Sequence, residues 1–508
     1  MSEHVRIENQ VESSPADFLL GLLRRLPAIW STARAARRRA RSLPALQVPL
    51  ELPDSEAIFG FIESLCRTPH RRPGSPEGRR AEQWVAQTFR DLGLESVAED
   101  PIPITVWSAS QWSLRVDGRA IPSFFTVNTG FTGPEGVRAP LVDVGAGRPR
   151  DLDRADVAGK IVVADVPFPL LPTGALMKLL RARYHLCDPD GELGLADWQY
   201  LNFVRQNFLG GAASADEALP REVYWQAQQR GARGICLILK NQPAGTDSHY
   251  GPYDGLLKPM PALWIGKREG ARLHDLARQG ATAELVLDGT AEPGAMSNVW
   301  GVLPGRSEET ILVTSHLDSP FSGAVEDAAG VAQVLAQAEA WARVPRERRP
   351  RTLVFVVDAG HFYGSEGGHH FARAHPEIMQ RTRALITLEH LGGKEVRERG
   401  MRYEETGRLA LSVMFTTPKT DLVATAIRAL ERRPVPMTAC IPADLIAPAP
   451  TSDAIGYVLE AGVPVISWIG CPYYLLDEHD TLDKVDRRWL RPIAETVAEM
   501  IKLQMALR

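Results

Sequence analysis

The sequence contains no CxxC pair and no long apolar run, and each absence excludes a class of protein. The five cysteines, at 66, 187, 236, 440 and 471, are scattered and odd in number, which argues against a zinc finger or a disulfide framework and suits a reducing compartment. No stretch of 18 or more apolar residues occurs, so we predict no membrane span. The first residues, MSEHVRIENQVESS, lack the basic and apolar regions of a secretory signal, and we expect a cytoplasmic protein.

The sequence also lacks a large excess of either sign of charge. The formal net charge is −4, which gives no global reason to expect binding to nucleic acid or to an anionic membrane. A hydrophobic fraction of 44% and a charged fraction of 24% are those of an ordinary soluble globular protein. A chain of 508 residues is too long for one small core, and two or three domains are expected.

The amino-terminal part, 1–54, is predicted to be an arm followed by a basic amphipathic helix. The helix ends in a run of five arginines, Arg34, Arg37, Arg38, Arg39 and Arg41. Two interpretations are open. The helix could bind a membrane surface or a partner, or its apolar stripe could pack on the body of the protein while the arginines face water, which is the interpretation we favour.

The rest of the chain alternates apolar strand patterns with helical patterns. Segments 55–129 and 289–508 predict a mixed, mostly parallel sheet covered by helices on both faces. Between them, 130–288 predicts a small inserted α/β domain. Within this insertion, about 170–220 is rich in aromatic residues and predicted to be mostly helical.

The stretch HLDSPFSGAVEDAAG, 316–330, is the first candidate site. His316 and Asp318 directly follow the apolar strand ILVTS, and ligands of open α/β sheets bind at the carboxyl ends of strands. Glu326 and Asp327 precede a helix, where acids ordinarily act as caps. A His two residues from an Asp shifts the balance towards a metal site, because a carboxylate commonly fixes the tautomer of a ligating imidazole.

The order of motifs resembles that of metallopeptidase family twenty-eight, the zinc aminopeptidases and their relatives. The resemblance rests on NVWGVLPG, SHLDS, GAVEDAAGVA, TLVFVVDAGHFYGSEGGHHF, LEHLGG, TSDAIGYVLEAGVPVI and DTLDKVD, and it covers roughly 55–130 and 290–505. The insertion resembles the protease-associated domain that such enzymes often carry. The resemblance implies a sheet of the zinc-exopeptidase type with two zinc ions sharing an acidic ligand.

Carried over residue by residue, the family pattern places metal ligands at His316, Glu326 and Glu389. Asp318 matches the acid that orients the His ligand. A shift of one residue would give the bridging role to Asp327 instead of Glu326. His390, next to Glu389, is expected to face the other side of the strand if the strand is regular.

Three positions lose the residue type of the family pattern. The Glu–Glu pair of the family falls on His361 and Phe362, so the general base becomes a His and a metal ligand becomes Phe. The late His ligand falls on Leu476. His479, or with less support Glu366, could replace a missing ligand.

The two lost metal ligands, at Phe362 and Leu476, would bind the same ion in the family pattern. We therefore predict a site that favours one zinc ion, with two possible. One His and two carboxylates with an open position form a familiar catalytic zinc arrangement. The resemblance then implies hydrolysis of an amide or peptide bond near a free amino terminus by metal-bound water, assisted by His361. Its substrate would be a peptide or a small amide. Two alternatives stay open: a non-catalytic binding or scaffold protein, and a one-metal enzyme of acyl transfer or cyclisation.

Overall fold

The computed structural model describes residues 15–168, 170–195, 197, 199–200, 223–252, 254–445, 449–450 and 452–507. The last part of the predicted helical sub-insertion, from 201 onwards, lies outside the described residues, which resume at 223. Its described part contains short strands and one short helix.

Nineteen strands occur in the described part of the chain. They are β1 Glu95–Val116, β2 Arg119–Ile121, β3 Phe124–Phe125, β4 Gly133–Asp143, β5 Ile161–Val166, β6 Leu170–Leu171, β7 His185–Cys187, β8 Gln199–Tyr200, β9 Gly234–Leu239, β10 Ala262–Gly266, β11 Thr282–Leu303, β12 Ser307–His316, β13 Arg351–Asp358, β14 Thr382–Glu389, β15 Lys394–Arg399, β16 Arg402–Leu409, β17 Ser412–Thr416, β18 Thr438–Pro442 and β19 Val465–Gly470.

The same residues contain thirteen α-helices. They are α1 Pro15–Ser42, α2 Ser55–Cys66, α3 Pro76–Asp91, α4 Pro149–Arg154, α5 Thr173–Lys178, α6 Val223–Gln229, α7 Lys267–Arg278, α8 Ala329–Ala342, α9 Glu366–Ala374, α10 Pro376–Arg381, α11 Thr420–Arg432, α12 Ala454–Ala461 and α13 Arg487–Ala506. None of the helices in the described ranges is long and apolar enough to cross a bilayer.

The centre of the main sheet is parallel. Strands β13, β12, β14 and β19 lie side by side in that order and run in the same direction. Their residues are apolar on both faces and almost wholly buried, as expected for strands covered by helices on each side. Helix α8 is buried nearly all around and packs on this region. The predicted mixed α/β fold class is confirmed, and the carboxyl ends of β12, β13 and β14 meet at one edge.

The insertion is continuous with the main sheet. Strand β11 pairs with β4 of the insertion through Thr282–Leu287 and with β13 of the core through Val299–Leu303. It therefore crosses the predicted boundary at 288/289 without a break. Strands β10, β9, β5 and β4 of the insertion lie towards one end of the fifteen-stranded sheet, and β7, also within the insertion, pairs with β18 at the other end. Assignment of this part as a protease-associated domain stays a prediction.

Helix α1 packs on α11, as the favoured interpretation of the amino-terminal helix predicts. Its buried side chains are Leu22, Ile29, Ala33, Ala36 and Ala40. The docked side also carries two ion pairs, Arg25 with Asp444 and Arg39 with Asp421, each at 2.7 Å. The other face of the helix remains exposed.

In the insertion, a histidine on α7 lies between carboxylates on two neighbouring strands. From its contacts we predict that the stability of the protein depends on pH. His274 of α7 contacts Asp165 of β5 through Nε2 at 3.0 Å and Asp143 of β4 through Nδ1 at 2.8 Å, and Lys240 also bonds Asp165. The hydrogen bond to Asp165 and the charge of Asp143 raise the pKa of His274 above its ordinary value, although partial burial opposes them. A raised pKa in the folded state stabilises the protein at low pH, and this contribution is lost as pH rises through the folded-state pKa.

We therefore expect His274→Gln to lower the free energy of unfolding by roughly 1.5–3 kcal/mol below pH 6, the range of hydrogen bonds to charged groups. The difference from wild type should shrink as the pH approaches 9. Urea unfolding at both pH values measures it. A difference that is constant or grows with pH would show that the imidazolium does not stabilise the fold.

Candidate metal centre

The candidate site lies at the carboxyl edge of the central parallel strands. His316 is the last residue of β12 and Glu389 the last of β14, while His361 follows β13. Glu326 lies in the segment between β12 and α8, and Asp453 lies directly before α12. Four separate loops therefore deliver side chains to one place, because neighbouring parallel strands end at the same edge.

Two glycines allow the 323–330 segment to fold as it does. Gly323 has a φ of 59°, and a Cβ there would lie 1.6 Å from the Ser319 Oγ. A Cβ on Gly330 would lie 2.4 Å from the nearer Asp327 carboxylate oxygen. The absence of this Cβ lets the carboxylate accept a hydrogen bond from the Gly330 backbone N–H at 3.0 Å.

Asp480, from the DTLDKVD motif, fixes the same segment from the other side. Its two carboxylate oxygens accept hydrogen bonds from the backbone N–H groups of Val325 and Glu326, at 2.9 and 2.8 Å. The aspartate is buried and sets the path of the backbone that presents Glu326. Further along the motif, Asp486 accepts a bond from Arg488 N and caps α13.

Three imidazoles and one carboxylate converge on a common point. The Nε2 atoms of His316 and His390 are 3.1 Å apart, and His390 Nε2 is 2.9 Å from Glu326 Oε2. His316 Nε2 is 3.7 Å from Glu326 Oε1. Donor atoms at about 2.0–2.1 Å from a tetrahedral zinc ion lie roughly 3.3–3.4 Å from one another, so these spacings are close to those of a ligand set.

His361 completes this group from beside His316. The two rings are stacked, with centroids 4.0 Å apart and planes 9° from parallel. His361 Nε2 is 3.5 Å from Glu326 Oε1, and its Nδ1 lies 3.1 and 3.2 Å from the two oxygens of Asp453. Asp453 therefore fixes the ring with Nε2 directed towards the convergence point.

The described residues form two overlapping donor groups. The first contains His316, Glu326, His361 and His390, and the second contains His316, His361, Glu389 and Asp453. In each group the donor atoms lie within 4.8 Å of one another. The predicted ligand set of His316, Glu326 and Glu389 is thus divided: Glu326 belongs only to the first group and Glu389 only to the second. Glu389 Oε1 accepts a hydrogen bond from Asp453 N at 3.2 Å.

Burial lowers the pKa of one of the three imidazoles, whereas nearby carboxylates raise the pKa of the other two. Burial lowers the pKa of His316 to about 3, and the neighbouring His361 and His390 act in the same direction. For His390, burial is outweighed by Glu326, Asp327 and Glu389, which raise the pKa to about 10. For His361, burial is outweighed by Asp453, with Glu326 and Asp318, and its pKa lies well above the ordinary value.

Asp318 contributes differently from the sequence prediction. Its carboxylate accepts hydrogen bonds from the backbone N–H groups of His361 and Phe362, both at 3.1 Å, and lies 3.8 Å from His316 Nδ1. The backbone carbonyl of Asp318, at 3.2 Å, is the group that His316 Nδ1 contacts. Asp318 therefore orients the His316 ring through its main chain and the His361 loop through its side chain.

The contacts of Glu326 and Asp327 differ, and they favour Glu326 as the carboxylate that faces a cation. Asp327 accepts hydrogen bonds from Ser315 Oγ at 2.5 Å, from Gly330 N and from His390 N at 2.7 Å, which occupy both of its oxygens. Neither Glu326 oxygen has a hydrogen bond of acceptable geometry among the described residues, although His390 Nε2 is close. Glu326 is the carboxylate available to a cation, and Asp327 is a structural tether.

The residues at the two substituted family positions are apolar and buried. Phe362 and Leu476 are each 1% exposed. Tyr250, from the insertion, packs edge-on against the Phe362 ring with centroids 5.0 Å apart, and its backbone N–H bonds Leu476 O at 2.9 Å. These three residues form an apolar wall where the family pattern would place ligands of a second ion.

The suggested replacement ligands lie elsewhere. His479 belongs to neither donor group: its Nδ1 contacts Asp477 at 3.1 Å and its ring packs on Tyr403. Glu366 pairs with Arg373. Neither side chain belongs to a donor group among the described residues, so these contacts give no support to either as a replacement ligand.

Sequence reasoning missed two residues. His390 has a φ of 54°, so the backbone leaves the regular strand after Glu389 and the side chain turns into the site. Alternation along a strand predicts the opposite face and fails at this residue. Asp453 precedes a helix and is easily taken for a cap, although its side chain makes no cap hydrogen bond there. Its position in the TSDAIG motif was the available signal.

The donor set fits a divalent metal ion. Imidazole nitrogens and carboxylate oxygens are the ligands of catalytic zinc. The buried acids Asp318, Glu326, Glu389 and Asp453 surround the three histidines, and Glu389 Oε2 has no hydrogen-bond partner among the described residues. Uncompensated buried carboxylates are costly unless a cation neutralises them. The fold and the donor set are together those expected of a metallopeptidase-type hydrolase, the class that the sequence resemblance implies.

Residues 298–501 match the model of Peptidase family M28, which confirms the resemblance predicted from the sequence. No curated protein matches the chain.

Solved structures with the same fold include a zinc aminopeptidase from Bacillus subtilis, with 16% identity, a TM-score of 0.65 and coverage of 89% of this chain and 95% of that one. The peptidase M28 precursor from Shewanella amazonensis is 18% identical, with a TM-score of 0.62 and coverage of 94% and 97%. The aminopeptidase from Aneurinibacillus sp. strain AM-1 is 20% identical, with a TM-score of 0.58 and coverage of 88% and 93%.

Proposed function

We propose that the protein is an aminopeptidase-type amide hydrolase that works with one zinc ion. The observation that carries the proposal is the convergence of three imidazole Nε2 atoms on Glu326, beside an Asp453–His361 pair. His316, Glu326 and His390 would hold the ion and leave a position open, as catalytic zinc requires. When bound, zinc would polarise the substrate carbonyl and increase the acidity of water.

The remaining residues of the site move and hold the proton. His361 is placed to accept a proton from the attacking water at Nε2 and to return it to the nitrogen of the leaving amine as the C–N bond breaks. Asp453 would hold the Nδ1 proton of the same ring and stabilise the imidazolium. Nearby carboxylates raise the pKa of His361. A bound cation would partly neutralise these carboxylates and would therefore lower that pKa.

The apolar wall supports the choice of one ion. A second ion would need ligands at the positions of Phe362 and Leu476, and neither side chain can donate an electron pair to a metal. Retention of all three histidines and Glu326 at a buried point favours an enzyme over a scaffold, because a scaffold gains nothing from burying these groups.

Untagged protein, dialysed without chelator, is expected to contain one equivalent of zinc per chain by mass spectrometry of the metal. It is also expected to hydrolyse amino-acid amides or aminoacyl nitroanilides, with free acid and amine as products. Two equivalents would contradict the single-ion site. Absence of bound zinc after loading would refute the enzyme and leave the scaffold. Products that retain the acyl group on another amine, or are cyclised, would identify acyl transfer instead of hydrolysis.

A further inference from the structure

The outer face of α1 exposes large apolar side chains. Among the described residues, six large hydrophobic side chains are exposed, and three belong to this helix: Leu20 at 52%, Leu23 at 46% and Trp30 at 41%. The opposite side of α1 already packs on α11 through its own buried residues. The packing of α1 on α11 therefore does not explain why Leu20, Leu23 and Trp30 are apolar.

The same face is basic. Residues 18–42 contain seven arginines and no acidic residue. Two acids of the body, Asp421 and Asp444, pair with Arg39 and Arg25 on the docked side. The remaining arginines on the outer face are exposed, and within the described ranges they have no hydrogen bond or ion pair; they are Arg24, Arg34, Arg38 and Arg41.

Apolar and basic positions lie together on the helix surface. With 3.6 residues per turn, residues seven apart share a face, which groups Leu20 with Arg34 and Arg41, and Leu23 with Trp30. The positive charge continues beyond α1. Arg37 donates to the Tyr184 carbonyl at 2.9 Å, and burial together with the nearby Arg37 and Arg181 lowers the pKa of Arg183.

We propose that this outer face of α1 binds the surface of an anionic lipid bilayer. The helix would lie parallel to the surface, with Leu20, Leu23 and Trp30 among the headgroups and upper acyl chains. Trp is well suited to that interface, and surface helices with arginines beside an apolar strip are attracted by anionic lipid. The whole chain has a net charge of −4, so such a membrane would be approached through this basic face and not at random.

Charge also argues against other occupants. Two copies of this face would place arginines against arginines, which disfavours a symmetric dimer. Nucleic acid would be bound by the arginines but would not require exposed leucine side chains beside them. A bilayer interface is the partner that uses both the charge and the apolar groups.

The full-length protein can be tested by sedimentation with vesicles. Wild type is expected to bind vesicles of phosphatidylcholine with phosphatidylglycerol, to bind pure phosphatidylcholine weakly, and to dissociate in high salt. The triple variant Arg34→Glu, Arg38→Glu, Arg41→Glu should bind the anionic vesicles about a hundredfold more weakly, since each basic residue near such a surface contributes to attraction. The matched control Arg119→Glu, Arg306→Glu, Arg402→Glu makes the same change of net charge at exposed arginines elsewhere and should bind like wild type.

A second variant separates lipid insertion from charge alone. Leu23→Ser with Trp30→Ser keeps every arginine and should also weaken vesicle binding, with an unchanged melting temperature showing that the fold is intact. Equal loss in both triple variants, or no effect of the serine variant, would overturn the proposal. Binding to duplex DNA with affinity equal to that for anionic vesicles would overturn it too. So would a concentration-dependent dimer that Trp30→Ser abolishes, because the face would then be an interface between copies.

Discussion

Replacement of His390 by alanine is expected to release the zinc ion and to lower kcat/KM for an amide substrate by at least about a thousandfold. His390 Nε2 lies 3.1 Å from His316 Nε2 and 2.9 Å from Glu326 Oε2, so its loss leaves two of the three proposed ligands. A bound metal contributes several kcal/mol of transition-state stabilisation, and about 1.4 kcal/mol corresponds to a factor of ten. Metal analysis and steady-state kinetics of the same preparation measure both effects.

Glu389→Gln is the informative control for this prediction. Glu389 belongs to the second donor group and not to the first, and glutamine keeps its size and its acceptor for Asp453 N. We expect this variant to retain one equivalent of zinc. If His390→Ala kept the ion and Glu389→Gln lost it, the second donor group would be the metal site. If both variants kept it, zinc would bind at neither group and the proposed function would fail.

The fold and the location of the site could be predicted because they follow from periodic patterns. Apolar strands that alternate with helical segments predict the parallel centre of the sheet, and polar residues directly after such strands predict a site at its edge. His316, His361 and Glu389 each end or follow a strand, and the structure brings all three to that edge. The two apolar substitutions are visible once the sequence is compared with the family that it resembles, because that resemblance implies metal ligands at the positions of Phe362 and Leu476.

The rest could not be predicted because it depends on local backbone geometry and on contacts distant in sequence. The left-handed backbone of His390 reverses the expected side-chain direction, and nothing in the LEHLGG stretch marks that residue as exceptional. Choosing Glu326 over Asp327 requires the contacts of Asp327 with Ser315 and the Gly330 N–H. The continuity of β11 across 288/289 could not be predicted for a similar reason: the strand pairs with both parts of the sheet, while the composition changes along it.

The change Asp453→Asn is expected to lower kcat by about a hundredfold to ten-thousandfold, the contribution of a positioned acid–base group, while zinc content and KM stay close to wild type. Asp453 contacts His361 Nδ1 through both oxygens, and its negative charge is a cause of the raised His361 pKa. Asparagine retains one acceptor but removes the charge that would stabilise the imidazolium, and its NH₂ group can favour the wrong ring tautomer. Asp453 would thus act by positioning His361, without touching the substrate.

A matched control exists within the same chain. Asp165 also contacts a histidine ring, His274 Nε2 at 3.0 Å, but does so in the insertion. Asp165→Asn makes the same chemical change and is expected to leave kcat unaltered while lowering stability. If Asp453→Asn lost its zinc together with its activity, Asp453 would be a metal ligand, as the second donor group allows. If it kept full activity, His361 would not be the group that transfers the proton. Retained zinc with lost turnover is the result that distinguishes positioning of the base from binding of the metal.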